Sequence, residues 1–155
     1  MPEIRPQRIA QAQEILDEHK RLHGYLEKIE AALSAPPRPE AVGAWLASLA
    51  SSLQELLPLL RAHFAREDEG GLFEEIEAAW PNAARVCERL RGEHEGLLAR
   101  FGRLRAETEV APADEEALQA LVARARSLSR DLTRHEEAEN ELLFRSLDDA
   151  VAAQD

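Results

Sequence analysis

Four long segments of the chain place apolar residues three and four positions apart, a spacing that predicts amphipathic helices. No stretch shows the alternation of apolar and polar residues that a half-buried strand requires. The predicted helices cover residues 7–33, 40–69, 82–107 and 115–147, with a short connecting helix at 72–79. Because short loops join the long helices, we expect an all-α fold, an antiparallel up-down-up-down four-helix bundle. Its single domain would span residues 1–155, with a core over about 7–147.

Residues that stop, start or bend helices mark the boundaries of these elements. Three prolines in the segment 36–39 cannot continue the first helix, and Gly70-Gly71 breaks the second. Asp114 is a favourable N-cap for the fourth long helix. Pro58 falls inside the second helix, where we expect a bend.

The composition limits which partners and compartments suit the chain. Asp and Glu outnumber Lys and Arg by 30 to 19, which gives a formal charge of −11. Such a surface repels phosphate backbones and anionic lipids, so neither nucleic acid nor a membrane is an expected partner. The single cysteine, Cys87, excludes an intrachain disulfide and falls on an apolar helical face. The first residues lack the apolar centre of a signal peptide, and no apolar run approaches the ~20 residues that cross a bilayer, so we expect a cytoplasmic protein.

Histidine interrupts the apolar stripe of every long helix. Those histidines, one helix at a time, are His19 with His23 one turn later, His63, His94 and His135. Glu67 follows His63 by four residues, and Glu139 follows His135 by four, so each pair shares a helix face. Imidazoles and carboxylates in a dry interior cost free energy unless something satisfies them. Bound metal ions would satisfy all of them at once.

In an up-down bundle these histidines fall in one layer. His19 and His94 lie about a dozen residues after the starts of their helices, and His63 and His135 lie about 7 to 12 residues before the ends of theirs. At ~1.5 Å per residue, every histidine falls roughly 10–18 Å from the same end of the bundle. Four imidazoles with two bridging glutamates suit two transition-metal ions. Iron, manganese and zinc fit these donors better than magnesium or calcium, and iron is favoured because carboxylate-bridged pairs in bundles are usually di-iron or di-manganese.

These residues follow one another in a distinctive order. The set is His19, then His63-x-x-x-Glu67, then His94, then His135-x-x-x-Glu139. With one element per helix, this order resembles the hemerythrin-like family, also called the HHE cation-binding domain. The resemblance runs from about Leu16 to Leu143, and Leu72-Phe73 resembles the family's link between its second and third helices.

The resemblance implies a non-haem di-iron centre with an oxo or hydroxo bridge. The ligand set that it implies is one iron on His19 and His63, a second iron on His94 and His135, and bridges from Glu67 and Glu139. Its oxygen-carrying members place a further histidine four residues after the one matching His94, where this chain has Leu98. That departure leaves an open position on each iron unless His23 compensates. Open positions would admit oxygen, peroxide or nitric oxide, which favours a redox or sensing role over reversible oxygen carriage.

Several polar residues have a second interpretation beside the metal site. The sequence allows His23 to be either a metal ligand or a packing residue. Asp68 is expected at the exposed end of the second helix, where an acidic path for metal would also fit. We expect solvated faces or local ion pairs for Glu93, Glu95, Glu136, Glu137 and Glu141.

The sequence leaves three functions open. The first is a hemerythrin-like non-haem di-iron protein that binds or reacts with oxygen, peroxide or nitric oxide, with enzymatic turnover undecided. The second is an iron-binding module for storage or sensing without turnover. The third is a metal-free helical interaction domain. The residues indicate no particular redox or protein partner.

Overall fold

The computed structural model describes residues 6–35 and 37–152, which form helices and turns with no strand among them. The helices are α1 (Pro6–Ser34), α2 (Val42–Glu69), α3 (Leu72–Ala79), α4 (Ala84–Glu107) and α5 (Glu115–Ala152). Short 3₁₀ turns at Pro39–Ala41 and Pro81–Ala83 lead into α2 and α4. The predicted all-α fold is therefore confirmed. Within the described residues, none of the helices combines the length and the apolar character that crossing a membrane requires.

Local chemistry explains most of the helix boundaries. The Ala117 N–H donates to Asp114 Oδ1 at 2.7 Å, so Asp114 caps α5 as predicted. Gly71, between α2 and α3, has a φ of 80°, a left-handed conformation that favours glycine. The fourth long helix was expected to end near Leu147 but continues to Ala152, because no proline or glycine interrupts the sequence there.

Two predictions concern prolines, one inside α2 and one after α1. Pro58 lies on an exposed face inside a continuous α2, and the bend there stays a prediction. Pro36, one of the three prolines expected to end the first helix, lies outside the described residues, as do residues 1–5 and 153–155.

Each long helix packs against two others, so α1 and α4 both contact α2 and α5. Along α1 and α2 the contacts run in opposite order. The Trp45 indole, early in α2, donates to the Ala32 carbonyl late in α1 at 2.9 Å. At the other end, Arg8 donates to the carbonyl of Gly70 just after α2. These two helices therefore run in opposite directions.

The contacts between α4 and α5 show the same opposite order. Arg124, early in α5, pairs with Glu107 at the end of α4, with 2.7 Å between nitrogen and oxygen. Two turns further along α5, Asp131 pairs with Arg100 at 2.8 Å. Helices α4 and α5 therefore also run in opposite directions, side by side, as α1 and α2 do.

Two apolar clusters fill the bundle, one toward each end. The larger cluster takes leucines from α1, α2, α4 and α5 together with Phe64 and Phe101. The smaller one includes Ala12, Ile15, Leu72, Phe73, Ile76, Cys87, Leu90, Leu142 and Leu143. Since α3 supplies three of those residues, it closes this end of the bundle. In α1, α4 and α5 a buried histidine lies between the contributions of the helix to the two clusters. Helix α2 contributes only to the larger cluster, and its buried His63 lies beside the last member, Phe64.

The predicted inward face of α1 was partly wrong. The spacing that predicts the first helix places Leu16, His23 and Glu30 on this face, but in the structure Leu16 is half-buried and the other two are exposed. The residues buried in their place are Ile15, Leu22 and Ile29. Each lies one position earlier. Together with the shared inward positions Ala12, His19, Leu26 and Leu33, either set keeps a spacing of three or four residues. A helical period of 3.6 residues accommodates either choice, and packing selects the one with more apolar side chains.

Replacing Leu53 with alanine tests the larger cluster, because this side chain is 0% exposed. We expect Leu53→Ala to lower the free energy of unfolding by about 2–5 kcal/mol, through lost apolar burial and the cavity left behind. Urea denaturation followed by circular dichroism measures this change. The control is Leu59→Ala, whose side chain in the same helix is 42% exposed; its effect should stay within about 0.5 kcal/mol. Equal losses in both variants would contradict the assigned face of α2.

Candidate metal centre

Six of the seven predicted ligand residues meet in one buried layer. None of the six is more than 4% exposed, and they are His19, His63, Glu67, His94, His135 and Glu139. Their donor atoms form two groups, each with all its atoms within 4.8 Å of one another. One group is His19, His63, Glu67 and Glu139, and the other is His94, His135 and Glu139. Each group is compact enough to hold a metal ion.

The two predicted His-x-x-x-Glu pairs form as expected from helical geometry. His63 Nε2 lies 2.8 Å from Glu67 Oε1, and His135 Nε2 lies 2.8 Å from Glu139 Oε1. The Nε2 atoms of His19 and His63 are 3.0 Å apart, so both imidazoles point at one place from different helices. Each pair thus presents one nitrogen and one carboxylate inward.

Several of these inward atoms have no hydrogen-bond partner among the described residues. They include both carboxylate oxygens of Glu67 and of Glu139, and Nε2 of His94 and of His135. Burying such atoms unpaired costs about 1–3 kcal/mol each, and more for a charged group. Metal ions would supply positive charge and coordination to the carboxylates and accept the imidazole lone pairs. The unpaired donors therefore fit a metal site better than a merely packed core.

The other ring nitrogen of each histidine is held from outside. Each Nδ1 donates to a side-chain oxygen on a neighbouring helix, in the pairs His19–Asn140 (2.6 Å), His63–Glu18 (2.7 Å), His94–Asp68 (3.0 Å) and His135–Glu93 (3.2 Å). An acceptor at Nδ1 keeps the proton there and leaves the Nε2 lone pair facing inward. This tautomer is the one that binds metal through Nε2.

These four bonds form a closed ring around the bundle. They join α1 to α5, α5 to α4, α4 to α2, and α2 back to α1. Glu18, the acceptor for His63, is itself fixed by Arg66, with 2.7 Å between Arg66 Nε and Glu18 Oε1. The same contacts that orient the imidazoles therefore also position the four helices relative to one another.

The outer acceptors are functional residues that the sequence analysis missed or interpreted differently. Glu18 and Asn140 were not singled out. Glu93 forms the expected local ion pair, with 3.7 Å between its Oε1 and Arg89 Nε, but it also accepts a hydrogen bond from His135 on another helix. Asp68 is exposed as expected, yet it accepts a bond from His94. Such pairs depend on how neighbouring helices are rotated, which no spacing within one helix specifies.

Phe64 is a further residue that the sequence analysis missed. It stacks on the His94 ring with 4.1 Å between ring centroids and an interplanar angle of 6°. Its centroid also lies 5.5 Å from that of His135. An apolar ring in this position restricts solvent access and lowers the local polarity around the inward donors. Its place directly after His63 in the sequence was the available signal.

Burial keeps two of the imidazoles neutral. It disfavours the charged ring and lowers the pKa of His19 to about 4, with the neighbouring His63 adding to the shift. Burial likewise lowers the pKa of His135 to about 3, with His94 adding to it. For His63, burial also acts to lower the pKa, but the nearby Glu67 and Glu18 carboxylates, which favour the charged ring, outweigh burial and raise it. Neutral imidazoles are the form that binds metal.

The placement of His23 on the inward face was wrong, and His23 belongs to neither donor group. Its side chain is 56% exposed, and its Nε2 lies 3.2 Å from Glu27 Oε1 in the next turn. The reason is the shift of the buried face of α1 to Leu22. Leu98, at the position of the missing histidine, is half-buried against the larger apolar cluster and offers no donor.

Glu136 was also placed wrongly, because we expected it on a solvated face. It is only 5% exposed, and its Oε1 has no hydrogen-bond partner among the described residues. Burial raises the pKa of its carboxyl to about 8. The helical turn that points His135 inward also brings the following residue toward α1.

A helical bundle with a buried histidine and glutamate cluster defines a class of proteins that bind metal between their helices. A comparison with known protein families then identifies the family. The family model described as the hemerythrin HHE cation binding domain matches residues 11–147. The chain therefore belongs to the hemerythrin HHE cation-binding family, as its sequence predicted. No curated protein and no solved structure matches it significantly.

The donor groups predict which substitutions remove metal. His63→Ala and Glu67→Ala each delete a buried inward donor, so we expect both to lower metal content sharply after loading with ferrous iron. Glu95→Ala is the control, because Glu95 is exposed on α4 beside His94. Elemental analysis of the three variants measures the difference. Equal metal retention in all of them would contradict the site.

Removing a side chain that accepts a hydrogen bond from a histidine Nδ1 should lower metal affinity less than removing a ligand does. Asp68→Ala removes the acceptor for His94 Nδ1, and we expect metal affinity to fall about tenfold. The effect should be at the low end for such groups because water can replace this exposed carboxylate. Competition with a chromophoric chelator measures the affinity. The adjacent Glu69, which is also exposed, provides the control as Glu69→Ala, and a matching loss there would rule out a specific role for Asp68.

Proposed function

We propose that the chain is a non-haem di-iron protein that binds or reacts with oxygen, peroxide or nitric oxide. The observation that carries the proposal is the set of inward donor atoms without hydrogen-bond partners on α2, α4 and α5, within donor groups that draw on all four long helices. Membership of a cation-binding family supports it. A metal-free interaction domain is disfavoured, because it would leave those buried donors unpaired.

The donor grouping supports one iron on His19 and His63 and the other on His94 and His135. Glu139 belongs to both groups, as a bridging carboxylate would. Glu67 Oε1 lies 2.8 Å from His63 Nε2 and 3.8 Å from His94 Nε2, so it too faces both histidine pairs. Glu67 and Glu139 are therefore the proposed bridges.

Mixed imidazole and carboxylate donors support iron, with manganese and zinc as the alternatives to be tested. Bound iron would supply redox chemistry and exchangeable coordination positions. The residues of this chain would orient and shield it. The Nδ1 acceptors hold the imidazoles in place, Phe64 limits water, and Leu98 adds no further ligand. A set with four imidazoles leaves room for a small molecule to bind.

The second candidate is an iron-binding module for storage or sensing without turnover. The ring of histidine bonds between helices favours this alternative in one respect, because metal binding would stabilise the contacts of all four long helices together. The same ligand residues serve both functions. Reactivity of the loaded protein separates them.

The deciding experiment is iron per chain, measured after anaerobic loading with ferrous iron. We expect about two irons per chain and, after exposure to air, charge-transfer bands in the near ultraviolet. Parallel loading with manganese and with zinc tests the choice of metal. His23→Ala is the control. Because His23 is exposed, the spectrum of this variant should match that of the unmodified protein.

Reaction of the ferrous protein with peroxide and with nitric oxide then distinguishes the two candidates. Rapid spectral change with repeated turnover supports the redox function. Stable iron without such reactivity supports storage or sensing. Uptake of none of the three metals would overturn both.

A further inference from the structure

Two grooves on the bundle surface reach the buried donors. The first lies between α1 and α5, has a volume of about 770 Å³, and is lined by His19 and its partner Asn140. The second lies between α4 and α5, has a volume of about 540 Å³, and is lined by His135 and its partner Glu93. Because the six inward residues are almost fully buried, any ion that reaches them from solvent must approach through such a surface opening.

The two grooves differ in charge. The α4/α5 groove is lined by three arginines, Arg89, Arg100 and Arg134, against two carboxylates. The α1/α5 groove is lined by three carboxyl groups, Asp17, Glu136 and Glu137, against one lysine. A cation is therefore repelled by the first groove and attracted by the second.

Glu136 is the feature of the α1/α5 groove that packing does not explain. It is 5% exposed, and its Oε1 has no hydrogen-bond partner among the described residues. It directly follows His135 in the sequence and lies within electrostatic range of His63 and Glu67. A buried carboxyl oxygen without a hydrogen-bond partner is costly unless a proton or a cation compensates it.

We propose that the α1/α5 groove is the route by which divalent cations reach the buried donors, and that Glu136 is a transit ligand along it. The inference rests on the proposed metal site but adds an access route and a residue outside the six ligands. Asp17 and Glu137 attract the ion at the surface, Glu136 binds it inside the groove, and His19 is the first of the inward ligands to receive it.

A transit ligand affects the rate of metal binding more than the final metal affinity. A transit ligand shortens the time that a partly dehydrated cation spends without an anionic partner, so it speeds binding. Once the metal sits on the six inward residues, the same carboxyl contributes little to the final affinity. Replacing this carboxyl group with an amide should therefore slow loading and leave the number of bound metals unchanged.

The test is the rate of cobalt(II) uptake by the metal-free protein, followed by stopped-flow absorption. Glu136→Gln keeps the shape of the side chain and removes the carboxyl group that would bind a passing cation, and we expect association about tenfold slower at low ionic strength. The cobalt stoichiometry and the final spectrum should match those of the unmodified protein. Glu95→Gln, on an exposed face of α4, is the matched control and should load at the unmodified rate.

Two further variants keep the test independent of changes inside the bundle. Lys20→Glu alters an exposed residue of the α1/α5 groove and should speed uptake. Gly96→Leu adds bulk to the α4/α5 groove, where a Cβ on Gly96 meets nothing within 4 Å, and should leave the rate unchanged. Slower uptake by Gly96→Leu with normal uptake by Glu136→Gln would assign access to the other groove.

The outcomes also separate this proposal from the proposed function. Normal cobalt uptake by Glu136→Gln would overturn the access route and leave the metal site standing. Loss of bound cobalt or a changed spectrum in Glu136→Gln would also overturn it, because Glu136 would then be a resident ligand. Absence of cobalt uptake by the unmodified protein would overturn the metal site itself.

Discussion

The structure depends on burying four imidazoles and two carboxylates in one layer of an otherwise apolar bundle. The layer lies between two apolar clusters, so water cannot readily solvate the inward atoms. Such a layer is unfavourable by itself, because several of those atoms have no hydrogen-bond partner among the described residues. The apolar clusters must supply stability that offsets the cost of the layer. A bound metal pair would make the layer itself stabilising.

The hydrogen bonds outside this layer connect the site to the fold. Each long helix supplies one histidine and receives the Nδ1 bond of a histidine on a neighbouring helix, which makes a closed ring through all four. Moving one helix would therefore misalign one imidazole directly and loosen another. This coupling gives a physical reason for a metal-dependent change in stability to spread over the whole bundle rather than stay local.

Surface charge adds a second level of organisation. The chain carries a formal charge of −11. Arginines nevertheless outnumber carboxylates in the groove beside His135, whereas acidic residues outnumber lysine in the groove beside His19. The two histidine pairs thus face surroundings of opposite sign. The proposed route for metal cations follows the more acidic of the two grooves.

The sequence by itself determined the helices, the bundle and the six inward residues, because each depends on spacing within a single helix. A four-residue interval sets His63 with Glu67 and His135 with Glu139 on one face whatever surrounds them. Only the tertiary structure decided which residues support that layer. The exposure of His23, the burial of Glu136 and the partners Glu18 and Asn140 all depend on how each helix is rotated against its neighbours. A period of 3.6 residues allows adjacent positions to compete for the interior, and the packing of the other helices makes the choice.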